Sequence, residues 1–87
     1  MDGKLERLLA QLRAVDWPCA ASLVLIAGGY QLEWKRGAQY MEIDVLDGSD
    51  GYGYLCERGD DSEEGLDSAA PLAQRFATFW KGGALRK

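Results

Sequence analysis

The stretch Tyr30-Gln31-Leu32-Glu33-Trp34-Lys35 decides the fold. Apolar and polar residues alternate without a break, so Tyr30, Leu32 and Trp34 share one face of an extended chain and Gln31, Glu33 and Lys35 the other. That is the pattern of a half-buried strand. Immediately before it, Ser22-Leu23-Val24-Leu25-Ile26-Ala27 is a continuous apolar run ended by Gly28-Gly29. Two glycines tolerate positive φ, which predicts a two-residue hairpin turn at Gly28-Gly29. As the first strand of a meander this run lies at a sheet edge, where a strand apolar on both faces is an aggregation hazard. A helix covering it is the expectation; pairing with another chain is the alternative.

Downstream, Arg36-Gly37-Ala38-Gln39 turns the chain into a third strand, Tyr40 to Leu46. Met41, Ile43 and Val45 fall on the face of Leu32 and Trp34, while Glu42 and Asp44 project with Glu33 and Lys35. Asp47-Gly48-Ser49-Asp50-Gly51 is a loop of turn formers. The fourth strand, Tyr52 to Arg58, carries Tyr52, Tyr54 and Cys56 on one side and Leu55 and Glu57 on the other, with Gly53 marking a bulge. Gly59 to Gly65 reads as an acidic loop around Asp60-Asp61-Ser62-Glu63-Glu64.

Helical periodicity brackets these strands. Leu5, Leu8, Leu9, Leu12 and Val15 form an apolar stripe from Lys4 to Val15, capped by Asp2 or Gly3 and stopped at Asp16-Trp17-Pro18. Lys4, Glu6, Arg7, Gln11 and Arg13 lie mostly off the stripe. A second helix begins near Ser68, with Asp67 or Ser68 as cap and Pro71 in its first turn. It aligns Leu72, Phe76, Phe79 and Trp80 and ends at Gly82-Gly83 before a loose tail, Ala84 to Lys87. The predicted fold is α+β in the order α-β-β-β-β-α: one domain over residues 1–87, an antiparallel four-stranded meander with an N-terminal and a C-terminal helix. A bent, orthogonal sheet is the alternative. Leu9, Leu32, Trp34, Ile43, Tyr54, Phe76 and Trp80 are the expected centre of the core.

The formal net charge of −4 is unevenly spread. Residues 31–67 hold eleven acids against three bases, Lys35, Arg36 and Arg58, a net −8; the flanks hold three acids against seven bases, a net +4. The balance argues against nonspecific binding to nucleic acid or to a membrane surface, while the segregation suits steering of a charged partner. No apolar run is long enough to span a bilayer, and the N-terminus does not read as a secretory signal. Cys19 and Cys56 form no CxxC pair, so both are expected as small core thiols in a reducing cytoplasm.

With no histidine in the chain, Ser-His-Asp and Cys-His sites and imidazole-dependent metal sites are excluded. Two cysteines do not make a four-ligand zinc site. Glu42 and Asp44, with Glu33 across the ladder, could act as acid and base only if their environments drove their pKa values apart; a solvated sheet face does not do that. The acidic loops miss the EF-hand order from Asp44, Asp47 or Asp50. Gly48, Gly51 and Gly53 join strand to strand with no GK[ST], unlike a phosphate loop. The expectation is a protein that is not an enzyme and that holds neither cofactor nor metal.

The hairpin Gly-Gly-Tyr-Gln-Leu-Glu-Trp-Lys followed by Tyr-Met-Glu-Ile-Asp-Val resembles that of a group of short bacterial and phage proteins, often encoded beside a second small reading frame. Gly29, Leu32, Glu33, Trp34, Glu42, Ile43 and Asp44 carry the resemblance. It implies a bacterial or phage source and a partner-binding role of the antitoxin kind, and it brings no catalytic residues. Together with the charge layout this makes a cytoplasmic antitoxin, immunity or inhibitor protein the leading expectation. Glu33, Glu42, Asp44, Glu57, Asp60, Asp61, Glu63 and Glu64 would then meet a basic, nucleic-acid-like site on another protein. A phage anti-defence inhibitor is a variant of this reading; a structural homodimer without a separate partner is the alternative.

Overall fold

A computed structural model describes residues 3–15, 17, 22–48 and 50–81. The expectations placed on Asp2, Asp16, Pro18, Cys19, Ser49, Gly82-Gly83 and the 84–87 tail lie outside these residues. The chain runs α1 (Lys4–Ala14), β1 (Ser22–Ile26), β2 (Gly29–Arg36), β3 (Gln39–Leu46), β4 (Tyr52–Arg58), β5 (Asp61–Asp67) and α2 (Ala69–Trp80). The strands form one antiparallel sheet in the order β1-β2-β3-β4-β5. The α+β class and the flanking helices agree with the sequence reading. The sheet has five strands rather than four.

The additional strand occupies the segment read as an acidic loop. Gly59, at φ 62, and Asp60 form a tight turn that sets Arg58 opposite Asp61, and the ladder continues to Tyr52 opposite Asp67. No apolar alternation advertises this strand. Its helix-side positions are Asp61, Glu63, Gly65 and Asp67, and two of these are held by an arginine from α2: Arg75 Nη1 lies 2.7 Å from Glu63 Oε2, and its Nε donates to Asp67 Oδ2 at 3.1 Å. The guanidinium also stacks 4.6 Å from the Tyr54 ring centroid, and Tyr54 Oη donates to Glu63 Oε2 at 3.1 Å. Opposed to the burial of Arg75, the hydrogen bond it donates to Asp67 and the neighbouring negative charges raise its pKa, so it stays a cation.

Both helices lie on the same side of the sheet. Leu8 and Leu12 of α1 and Leu72, Ala73, Phe76 and Phe79 of α2 bury against Leu32, Trp34, Met41, Ile43, Val45, Tyr52, Tyr54 and Cys56. Leu9 and Trp80, expected at the centre, are only partly buried. A stripe of five apolar residues is wider than the contact a helix makes, and the rotational setting of α1 chooses Leu8 and Leu12 for the interior. Trp34 is the hub: Trp17 meets it edge-on with centroids 5.6 Å apart, and Phe76 does so at 4.8 Å. Phe76 in turn stacks on Trp80 at 5.6 Å.

Polar clamps fix the helix ends. Lys4, read as lying off the apolar stripe, is 5% exposed. Its Nζ donates to the carbonyls of Leu46 (2.9 Å) and Gly51 (2.7 Å), while Tyr52 Oη donates to the Lys4 carbonyl at 2.7 Å. The start of α1 is thereby tied to both sides of the β3–β4 loop. At the other end, Arg58 Nη2 donates to the Phe79 carbonyl at 2.8 Å and Arg36 Nη2 to that of Trp80, each guanidinium lying over the ring of the residue it caps. Cations at a helix C-terminus offset the partial negative charge of its last carbonyls.

Three local expectations are corrected. The first hairpin turn is Ala27-Gly28 rather than Gly28-Gly29, because Ile26 pairs with Gly29. Gly28 takes the positive φ of 82, and Gly29 serves a different purpose: a Cβ there would sit 1.9 Å from the Val45 carbonyl oxygen. Gly53 makes no bulge; it pairs in regular register with Asp44 and with Leu66. Finally, β1 is not covered among the described residues, where Leu23 is 55%, Val24 44% and Leu25 75% exposed. The two helices pack on the strands that follow it, and no described residue covers the first strand.

Candidate partner-binding face

Strand alternation sends one set of side chains to the helices and the other to a face that no described helix covers. Register aligns the second set in rows across the sheet. One row runs Ser22, Glu33, Glu42, Leu55, Glu64; the next runs Val24, Gln31, Asp44, Gly53, Leu66; a third holds Lys35, Tyr40, Glu57 and Ser62. Five of the eight acids expected at a partner site, Glu33, Glu42, Asp44, Glu57 and Glu64, therefore share this face. Glu64 belongs there although its segment was read as a loop. Asp60 stands in the β4–β5 turn. Asp61 and Glu63 fall on the helix side, where Glu63 engages Arg75.

Glu33 and Glu42 are directly opposite each other. Such cross-strand Cβ atoms lie ~5 Å apart, and like charges so placed work against the sheet. Neighbours hold the acids in position without neutralising them. Tyr40 Oη donates to Glu42 Oε1 at 2.8 Å, and Gln31 Nε2 donates to Asp44 Oδ1 at 3.0 Å. Burial first, then the hydrogen bond to Glu42 and the charges of Glu42 and Glu33, push the Tyr40 phenol well above its ordinary pKa, so it remains a donor. Between the rows lies a shallow depression of about 320 Å³ lined by Glu42, Asp44, Leu55, Glu64 and Leu66. Gly53 also lines it, and a Cβ there would meet the side chains of Asp44 and Leu66, so the glycine leaves it room.

The three bases of the acidic segment are divided by the fold. Arg36 and Arg58 turn to the helix side to cap α2, so Lys35 is the one cation among the described residues of the open face. The capping arginines escaped the sequence reading because their acceptors are backbone carbonyls 44 and 21 residues away. Arg75 escaped it for a different reason: its acceptors are carboxylates of β5, a strand that no apolar alternation marks.

A second cleft, of about 310 Å³, opens beneath α2 and is lined by Cys56, Glu63, Arg75 and Phe79 among others. Cys56 is 1% exposed, and burial, followed by the charge of Glu63, pushes its thiol from 9.0 up to about 11. A thiol so held stays protonated at neutral pH and is a poor nucleophile. In a Cys19→Ser chain, Cys56 is expected to resist a thiol reagent at pH 8 until denaturant unfolds the protein. Rapid labelling of the native chain would contradict this placement. Because the folded pKa is the higher one, the contribution of Cys56 to stability holds below pH 9 and is lost as pH rises from 9 through about 11.

Among the described residues, no group of three or more Cys, Asp or Glu side chains is arranged to hold a metal ion, and no helix is long and apolar enough to cross a membrane. Compared with protein-family models, with curated proteins and with solved structures, the chain matches none.

Proposed function

We propose that this protein acts by binding another protein, in the manner of a cytoplasmic antitoxin, immunity or inhibitor protein, and that the open face of the sheet is the surface it uses. The observation that carries the reading is the row in which Glu33 stands opposite Glu42, flanked by Asp44, Glu57 and Glu64, with Lys35 the one cation among the described residues of that face. Like charges set side by side work against folding, so their presence on a rigid sheet is a local sacrifice of the kind found at functional surfaces. The carboxylates stand at strand spacings of ~5 to 7 Å, a fixed array of negative charge suited to a basic site that otherwise receives a nucleic-acid backbone. An anti-defence inhibitor of phage origin would use the same array. Binding would need neither cofactor nor chemistry of its own.

Charge reversal tests the reading. The Glu42→Lys/Asp44→Lys chain is expected to fold as the wild type does, since both side chains are on the uncovered face and one reversal replaces a like-charge pair with an opposite-charge pair worth ~0.2–1 kcal/mol. Immobilised wild type should retain a basic protein from bacterial lysate at low salt, release it as salt rises, and the double variant should retain none of it. Equal retention by both chains would dispose of the open face as the binding surface.

A further inference from the structure

We infer that β1 is a self-pairing edge: two copies of the chain join β1 to β1, antiparallel about a two-fold axis perpendicular to the sheet, to make one ten-stranded sheet. This inference is independent of the acidic-face reading. The two edges of the sheet are unlike. The β5 edge carries four acids, of which Glu63 and Asp67 are paired with Arg75, while Asp61 and Glu64 place charge that opposes pairing with a second β5. The β1 edge, Ser22-Leu23-Val24-Leu25-Ile26, carries no charge, no proline and no bulge, and among the described residues no strand lies on its outer side. Leu23, Val24 and Leu25 are each more than two-fifths exposed, on both faces of the strand.

The sequence of this edge suits its own copy better than a foreign strand. A two-fold axis perpendicular to a continuous sheet keeps each residue opposite one that points to the same face. Centred on Val24, the pairing uses all five residues. Leu23 meets the other copy's Leu25 on the helix side, twice; Val24 meets Val24 on the open face, and Ser22 meets Ile26. Leu-Val-Leu is palindromic, so every contact made by its exposed apolar side chains is apolar against apolar. The acidic face of each copy remains uncovered and becomes continuous with that of the other. One strand pair lies at the low end of specific interfaces, so the association belongs in a range from ~1 µM to ~1 mM.

Sedimentation equilibrium of the wild type over that range should show a monomer–dimer equilibrium. Val24→Lys and Val24→Glu chains should each be monomeric, with self-association weakened ~100-fold or more, because at the axis the substituted side chain faces its own copy. Mixed in equal amounts, the two variants should form a heterodimer. Val24 is on the uncovered face, so both variants are expected to keep the wild-type far-UV circular dichroism. A wild type that stays monomeric throughout overturns the inference, whether or not the variants fold. So does dimerisation unchanged in both variants, which would move the interface away from Val24, or a mixture of folded variants that fails to associate, which would take Val24 off the two-fold axis.

Discussion

Replacing Trp34 with alanine is expected to cost about 3–5 kcal/mol of folding stability, the range for a large aromatic side chain lost from a core. Trp34 is 2% exposed and is the ring on which Trp17 and Phe76 both converge. Its removal would leave a cavity at the point where the chain following α1, the middle of β2 and the middle of α2 meet, and the rigid sheet beneath cannot collapse to fill it. Domains of this size are stable by only ~5–15 kcal/mol, so roughly a fifth or more of the total goes with one residue. Urea unfolding followed by far-UV circular dichroism should show the loss directly, and the thermal midpoint should fall by ~15–30 °C. Trp80→Ala is the control. That ring stacks on Phe76 and lies under Arg36 but is only partly buried, so the loss should be well under half as large. A Trp34→Ala chain destabilised by less than 1 kcal/mol would mean that the helices do not pack on the sheet through this residue.

Gly29→Ala should be nearly as damaging, although it adds a single methyl group. The new Cβ would lie 1.9 Å from the Val45 oxygen, 2.9 Å from its carbonyl carbon and 3.0 Å from Leu46 Cα, all backbone atoms of the neighbouring strand. Relief requires the start of β2 to part from the end of β3, beside the Asp47 N–H to Gly28 carbonyl bond of 2.7 Å. A loss of about 3 kcal/mol is expected, at the upper end for overpacking. Gly28→Ala makes the contrast. Its φ of 82 disfavours a side chain, but beyond its chain neighbours nothing lies within 4 Å of the added group, and the loss should stay near ~1 kcal/mol. Equilibrium denaturation of the two variants side by side decides the matter: a larger loss at Gly28 than at Gly29 would mean that the turn sits one residue later, where the pair of glycines alone suggested it.

That pair shows where local reading stops. Either glycine can take positive φ, so both qualify for a turn; only the proximity of Val45 distinguishes them, and Val45 belongs to another strand. The same distinction runs through the molecule. The faces of β2, β3 and β4 follow from alternation, because a period of two admits no other assignment of Leu32, Trp34, Met41, Ile43, Val45, Tyr54 and Cys56. Both helices were legible to within a residue or so from their apolar stripes. On the open face, Glu33, Glu42, Asp44 and Glu57 were legible by the same alternation, as the complements of core residues.

What the amino-acid order determined by itself is thus the set of elements whose apolar residues repeat with a secondary-structure period, and the face each of their side chains takes. Only the tertiary structure decided the rest. It made Asp61–Asp67 a strand, because Arg75 and Tyr54 supply the partners that an apolar face would otherwise provide. In doing so it drew Glu63 to the helix side and left Glu64 with the open row. It withdrew Arg36 and Arg58 to the end of α2 and so sharpened the negative face. And among the described residues it left β1 bare, because the helices settle over the strands that follow. Each of these outcomes rests on groups far apart in the chain, whose attraction exists only once the fold has brought them within a few ångströms.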